Sequence, residues 1–503
     1  MVRAIVFLLM HVALAQASNN LVYQVFVRSF ADTPADTDRV GDLRGLRENL
    51  KYVSDLNAGI LWLMPVFPSA SYHGYDIADY RNINPEYGTL RDMSDLIAAA
   101  HRRRIRIILD IAFNHTSTEH PWFQQAVRDP ASPYRKFYHF DPKTRNGYLA
   151  LFSRDMPDLN LAVPEVRAEV KDIAKFWLDR GIDGFRLDAA KHVFGDTFGT
   201  ISEEDVRKNN EWWREFSAHV YSINPDAVLV GEVLDKPEVI RSHSAGLNAL
   251  LDAPFMHAAR AWIAHPSPGF LTNWIEQSKT YVSFPFLGSH DENPRLATFL
   301  EDRKAPVEEA YRVGMCLLLS VAKYPVIYNG DELMQRGRKW KGNPPDHRDE
   351  PGDGSRIYDE TLREPFPWYG SRSLAPQTTW FIPRFDLRND GVSVEEQNEP
   401  NSMLSLVRAL SKLRNDLPDY ANGAISSVSS DTETLLALEK LAGRYLLLIN
   451  PTAKGQNHSV RKGAIVVFWS DGARKAWKRS GRDHIVKNIL VPAYGFVLLR
   501  TKT

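Results

Sequence analysis

The sequence predicts an α/β protein: a (β/α)8 TIM barrel with a small domain inserted after the third strand and a C-terminal antiparallel β domain. Three observations lead there. Eight apolar runs that read as buried strands alternate with stretches of helical period, the pattern of a parallel sheet. An irregular excursion, too long for a normal βα loop, follows the third run. From about Asp416 the pattern changes to short alternating runs, as in antiparallel sheets. A doubly wound open sheet is the other architecture that such alternation allows.

Taken in order, the chain opens on Met1-Val2-Arg3, an apolar run from Ala4 to Leu14 and the small-x-small triplet Ala15-Gln16-Ala17. Together they read as a secretory signal over residues 1–17; a buried first helix or strand is the other reading. The strand runs are Val22 to Val27, Gly59 to Val66, Ile105 to Ala112, Gly184 to Leu187, Val228 to Gly231, Ala249 to Leu251, Phe284 to Gly288 and Tyr324 to Tyr328. Among the helical stretches between them, Leu90 to Arg103 and Val163 to Arg180 have the clearest amphipathic spacing. The excursion after Asn114-His115 makes residues 116–160 an inserted domain, with the barrel over 18–115 and 161–415. A second irregular stretch, from about Glu332 to Pro400, follows the eighth strand and so belongs to the same rim. The helix Ser402 to Asn415 then closes the barrel. Runs such as Thr434 to Leu438, Tyr445 to Ile449, Ala464 to Phe468 and Gly495 to Leu499 make residues 416–503 a β-sandwich.

Composition narrows the partners. Lys+Arg and Asp+Glu both total 62 in 503 residues, so nothing in the charge favours nucleic acid or an anionic membrane. Outside the signal no stretch approaches membrane-spanning length. Cys316 is the only cysteine, which excludes an intrachain disulfide and leaves stability to the core. An exported monomer, secreted or periplasmic, is expected.

The chemistry is concentrated in three carboxylates, each directly after a strand-like run: Asp188 in GIDGFRLDAAKH, Glu232 in AVLVGEV and Asp291 in PFLGSHDENP. In parallel α/β folds that is the rim where active sites are built. Sugar hydrolysis needs one carboxylate at the anomeric carbon and another to protonate the leaving oxygen. One such acid alone reads as a helix cap or ion-pair partner. Three in equivalent positions, with Arg186, His115 and His290 beside them, read as a site. No G-x-G-x-x-G, Walker-type loop or zinc-ligand spacing occurs, so dehydrogenase and kinase readings have no support.

DIAFNH (110–115), GFRLDAAKH (184–192), GEV (231–233) and FLGSHDENP (286–294) resemble, in the right order, the conserved regions of the α-amylase family, glycoside hydrolase family 13. MPDLN at 156–160 is similar to that family's further region in the intermediary α-amylase group. The resemblance implies that Asp188 is the nucleophile, Glu232 the general acid and base, and Asp291 the stabiliser of the transition state. It implies that Arg186 keeps Asp188 ionised, that His115 and His290 donate to the bound glucose, that Tyr75 stacks on it and that Asp76 touches its hydroxyls. Lys191 and His192 resemble the pair that α-amylases place on the leaving-group side. The substrate implied is an α-1,4-glucan cut internally. An α-glucosidase, an oligo-1,6-glucosidase or a transglycosylase of the same family would share these residues, and a non-catalytic sugar-binding barrel is the rival from another class. Many relatives bind a structural Ca²⁺ through the position of Asn114 and groups of the inserted domain, and the intermediary group often adds an acidic loop after the first strand, where Asp36, Asp38 and Asp42 alternate like oxygen ligands. Pro34 and Arg39 stand where the family's loop has Asp and Gly, which weakens that site. No organic cofactor is implied.

Overall fold

The computed structural model describes residues 20–33, 38–144, 146–195, 201–247, 249–267, 269–277, 281–341, 357–370, 376–385, 389–429, 434–472, 476–479 and 485–501. The signal over residues 1–17 and Asp36 lie outside them. Eight short strands form the barrel: β1 Val22–Val25, β2 Ile60–Leu63, β3 Arg106–Ala112, β4 Gly184–Asp188, β5 Val228–Gly231, β6 Ala249–Asp252, β7 Val282–Pro285 and β8 Val326–Tyr328. They pair in the order β7-β6-β5-β4-β3-β2-β1-β8, every neighbour parallel. A parallel bridge between Phe286 and Val326 joins the two ends into a ring, which excludes the open sheet.

Strand periodicity decides what lies inside. Val22, Ile60, Trp62, Ile108, Val228, Val230, Phe284, Tyr324 and Val326 form one apolar cluster, separate from the larger core under the helices. Side chains two apart on a strand share a face. Gln24 follows Val22 by two, Asp110 follows Ile108, and Glu232 follows Val230; Arg186 and Asp188 alternate likewise on β4. The polar groups of the rim are thus the uppermost layer of an otherwise apolar barrel interior. One boundary differs from expectation. The apolar run does not stay extended to Val27, because β1 ends at Val25 and Val27–Phe30 makes a helical turn.

Helix Leu90–Arg102 starts at a capping box between Thr89 and Asp92. Within 116–160, helix Pro121–Arg128 packs beside isolated bridges His115–Asp158, Tyr138–Leu159 and Phe140–Tyr148, which fold the excursion back onto β3. The second irregular stretch contains a small hairpin, β9 Trp340–Lys341 with β10 Ile357–Tyr358, and then returns across the start of the barrel. There the Phe366 N–H donates to the Ser29 carbonyl at 2.7 Å.

Helix Met403–Asp416 carries Arg414, whose guanidinium donates to the carbonyls of Leu319, Ala322 and Lys323. Beyond it, β11 Ile425–Ser429, β12 Leu436–Lys440, β13 Tyr445–Ile449, β14 Gln456–Asp471, β15 Ala476–Arg479, β16 Ile485–Val491 and β17 Phe496–Thr501 are antiparallel. Hydrogen bonding runs through all seven, with β15, β16 and β17 each pairing with β14. Leu436, Leu438, Leu447 and Leu498 face the main core, while Leu446, Leu448, Val460, Val491 and Leu499 fill the opposite face.

Candidate active site

A single guanidinium organises the rim. Arg186 is 0% exposed and donates through Nη1 to Asp110 Oδ1 and to Asp188 Oδ1, each at 2.6 Å, and through Nη2 to Glu232 Oε1. Only a planar fork with fixed donors can bind three carboxylates this way. The turn after β4 adds a second restraint. Ala189, in the left-handed region at φ 48°, donates its N–H to Glu232 Oε2 at 3.0 Å. The backbones of the two segments are also tied, Glu232 N to Leu187 O at 2.9 Å and Ala190 N to Glu232 O at 3.0 Å. Asp188 and Glu232 are therefore positioned by one side chain and one turn.

Asp291 is held from the other side. Its Oδ1 accepts from Arg363 Nη2 at 2.8 Å, and its Oδ2 lies 2.8 Å from His290 Nε2. Gln24 Nε2 donates to His290 Nδ1 at 2.7 Å, which leaves the ring proton on Nε2, facing Asp291 and the Tyr75 hydroxyl at 2.6 Å.

Charge crowding and burial separate these acids. Burial pushes the Asp188 carboxyl up to about 7; Arg186 opposes this, and Asp110 and Asp291 add to it. Burial likewise raises Glu232 to about 7, against Arg186 and with Asp188 and Asp291. For Asp291 burial also works against ionisation, but His290, Arg363 and Lys339 outweigh it and hold its carboxyl well below the usual range. Against the expectation that Arg186 keeps Asp188 ionised, its guanidinium does lower the Asp188 carboxyl, but desolvation is the larger effect and raises it, and the neighbouring Glu232 is raised in the same way. Such a pair can supply one acid and one carboxylate at the same time.

The remaining residues sort into two groups. Tyr75 lies in the cluster: its hydroxyl donates to Asp110 Oδ2 at 3.0 Å and its ring stacks on His290, centroids 5.8 Å apart at 16°. His115 is buried beneath it, Nε2 donating to the Tyr75 carbonyl at 3.2 Å, and burial lowers it to about 4, so it is neutral. Lys191 Nζ donates to Asp235 Oδ2 at 2.8 Å and to the Leu234 carbonyl at 3.1 Å, on the rim after β5. His192 is also lowered to about 4 by burial and meets Phe152 edge-on at 5.6 Å. Asp76 has local partners. It accepts from the hydroxyls of Ser69 and Ser71 and from the Ser71 N–H at 3.2 Å, stapling its own loop.

At the acidic loop the described acids, Asp38 and Asp42, are engaged by the protein's own donors, while Asp36 lies outside the described residues. Asp42 caps helix Leu43–Glu48 through the Gly45 N–H at 2.7 Å and accepts from the Thr33 hydroxyl and N–H as well. Asp38 Oδ1 accepts from the Val40 N–H at 2.8 Å. Asn114 Nδ2 donates to Asp158 Oδ1 at 3.2 Å in the inserted segment. Among the described residues no three His, Cys, Asp or Glu side chains gather as a metal would require. Chelation by EDTA is accordingly expected to leave the melting temperature unchanged in differential scanning calorimetry. A clear fall would establish a structural cation.

Three contributors escaped the sequence reading. Asp110 stood inside DIAFNH but was read only as part of the strand run Ile105 to Ala112; its place two residues after an inward-facing Ile108 was the available signal. Arg363, in LREPFPW, reaches Asp291 across 72 positions of sequence, which no local pattern displays. Phe152 is 41% exposed in the inserted segment, its ring between those of His115 and His192, at 5.4 and 5.6 Å.

The profile described as "Alpha amylase, catalytic domain" matches residues 24–147 and 139–423 of this chain. Alpha-amylase 3 of Dictyoglomus thermophilum is 37% identical over 440 residues, spanning 83% of this chain and 81% of its own. A 4-alpha-glucanotransferase of Thermotoga maritima is 30% identical over 419 residues, spanning 78% and 87%. Among solved structures, the α-amylase of H. orenii superposes with a TM-score of 0.80 at 31% identity, over 96% of this chain and 100% of that one.

Proposed function

The chain belongs to the α-amylase family, glycoside hydrolase family 13, whose members act on α-glucans, and from that premise we propose an exported retaining hydrolase that cuts internal α-1,4 bonds of starch, glycogen or maltooligosaccharides. The observation that carries the chemistry is the fork of Arg186 across Asp188 and Glu232. Asp188 attacks the anomeric carbon and forms a covalent glycosyl-enzyme while Glu232 gives its proton to the departing oxygen. Glu232, now a carboxylate, takes a proton from water, which releases the sugar with retained configuration. Asp291, fixed as an anion by His290 and Arg363, binds sugar hydroxyls and favours the positively charged transition state. Tyr75 and His115 shape the pocket for the ring being cleaved. Residues 1–17 support export, to the periplasm or the medium.

The identity to an α-amylase supports internal hydrolysis. The identity to a glucanotransferase favours a second reading, in which another glucan takes the place of water at the same intermediate. A time course of products from soluble starch and maltoheptaose separates them. A spread of shorter maltooligosaccharides at early times is expected. Products longer than the maltoheptaose supplied would establish transfer, glucose alone would mean cutting from chain ends, and no product would overturn the reading.

A further inference from the structure

We propose that Arg260 is a positioning residue for the reaction, its guanidinium clasping both ends of the segment that carries His290 and Asp291 and so fixing where the Asp291 carboxylate stands; this rests on the α-glucan reading above. Leu287 lies three residues before His290, and Pro294 three after Asp291. Arg260 donates to the Leu287 carbonyl through Nε at 3.1 Å and Nη2 at 2.7 Å, and to the Pro294 carbonyl through Nη1 at 3.0 Å. One planar fork thus closes the segment into a loop.

The clasp is itself anchored. Arg260 is buried on helix Ala253–Ala264, which follows β6 directly. Asp252, the last residue of β6, caps that helix by accepting from the Phe255 N–H at 3.0 Å. It also accepts from the Trp274 indole N–H at 2.9 Å and from the hydroxyl of Ser283 on β7. The Arg260 guanidinium lies 5.3 Å from the centroid of the Phe299 ring. Burial lowers Arg260 to about 10 while Glu292 and Asp331 oppose this, so it is charged at neutral pH and its bonds to the two carbonyls are charge-assisted.

The segment lies beyond the reach of the sheet. β7 ends at Pro285, the bridge of Phe286 to Val326 follows, and residues 287–294 form no strand. Inside the segment, Ser289 Oγ accepts from the N–H groups of Asp291 and Glu292, each at 3.2 Å, and Arg363 Nε donates to the His290 carbonyl at 3.2 Å. Those bonds set its local shape, whereas Arg260 sets its place against the wall of the barrel. Asp291 acts through its charge, on a transition state more positive than the neutral sugar that precedes it. A displacement of about 1 Å can cost roughly a hundredfold in rate. Binding of the uncharged ground state depends far less on that distance.

The test compares Arg260→Lys with Arg414→Lys in the full chain. Arg414 is likewise buried and donates to carbonyls, those of Leu319, Ala322 and Lys323, but on the segment that enters β8, at the end of the barrel opposite the rim. A lysine keeps the charge but, as a point donor, does not span both carbonyls in the manner of the fork. Arg260→Lys is expected to lower kcat on maltoheptaose roughly thirtyfold with KM within about threefold of the wild type. It is expected to weaken binding of 1-deoxynojirimycin, a cationic mimic of the charged ring, by a similar factor. Arg414→Lys is expected to lower the melting temperature and leave kcat and inhibitor binding at their wild-type values. If Arg260→Lys behaves as Arg414→Lys does, with a change in melting temperature alone, the clasp is overturned while the catalytic reading stays in place. Should Arg260→Lys not fold, Arg260→Gln, which keeps one donor group, is judged by the same outcomes. Failure of both to fold would overturn the proposal, since the arginine would then serve the fold and not the loop. If the wild type leaves maltoheptaose uncut, the α-glucan reading fails and the positioning role fails with it.

Discussion

Asp188→Asn is expected to lower kcat on maltoheptaose by roughly four orders of magnitude while the protein stays folded. The amide has the shape of the carboxylate and can still accept from Arg186 Nη1, so the clamp on Glu232 is kept. What it lacks is the nucleophilic oxygen, so no covalent intermediate forms and the remaining rate comes from binding and polarisation alone. Stability should not fall. The site buries Asp110, Asp188 and Glu232 around one guanidinium, and replacing one of these acids by a neutral group relieves like-charge repulsion. The melting temperature is therefore expected to be equal to or above that of the wild type. Near-native turnover in this variant would remove Asp188 from the role of nucleophile.

Arg186→Met has the opposite signature, damaging both fold and activity. The arginine is the positive partner of three buried carboxylates, and removing one partner of a buried ion pair costs about 3–5 kcal/mol. The pH dependence gives the sign. Burial already raises Asp110, Asp188 and Glu232 to about 6, 7 and 7, above ordinary carboxylates near 4. Each binds its proton more tightly folded than unfolded. Their stabilising contribution is therefore complete below about pH 4 and is lost as pH rises through about 6 to 7. Without Arg186 these carboxyls rise further and the loss with pH becomes steeper. Urea unfolding is expected to show a deficit that is modest at pH 5 and much larger at pH 8, with activity abolished at both. A deficit independent of pH would mean that Arg186 acts by packing alone.

Much of this was readable in the residue order, for reasons that also explain what was not. Alternating apolar runs and amphipathic helices gave the barrel, because strand burial and helix periodicity are local properties of a chain. Asp188, Glu232 and Asp291 could be singled out because a strand end is also marked locally. Arg363 could not, since its partner Asp291 lies 72 positions away and only the return of the second irregular stretch brings them together. Asp76 illustrates the converse. Its motif pointed to a sugar contact, whereas no local pattern displayed the hydroxyls of Ser69 and Ser71, seven and five residues before it, that its carboxylate also accepts from. The shift of Asp188 was equally hidden, because desolvation depends on what surrounds a group in space.

The wall that carries these acids is not equally firm all the way round. Across β3, β4 and β5 the backbone ladder is continuous, whereas β7 reaches β8 only through the single bridge from Phe286 to Val326, as β5 reaches β6 only at Gly231 and Leu250. At the seam between β7 and β8 the rings of Phe284 and Tyr324, parallel within 4° and 4.8 Å apart, do the joining that hydrogen bonds do elsewhere. Local unfolding begins where backbone pairing is sparsest. Asp291 is borne by the segment leaving this seam, while Asp188 and Glu232 ride on the unbroken arc facing it. Opening at that seam is expected to move the lip bearing Asp291 relative to the β3–β4–β5 arc, on which Asp188 and Glu232 keep their mutual register.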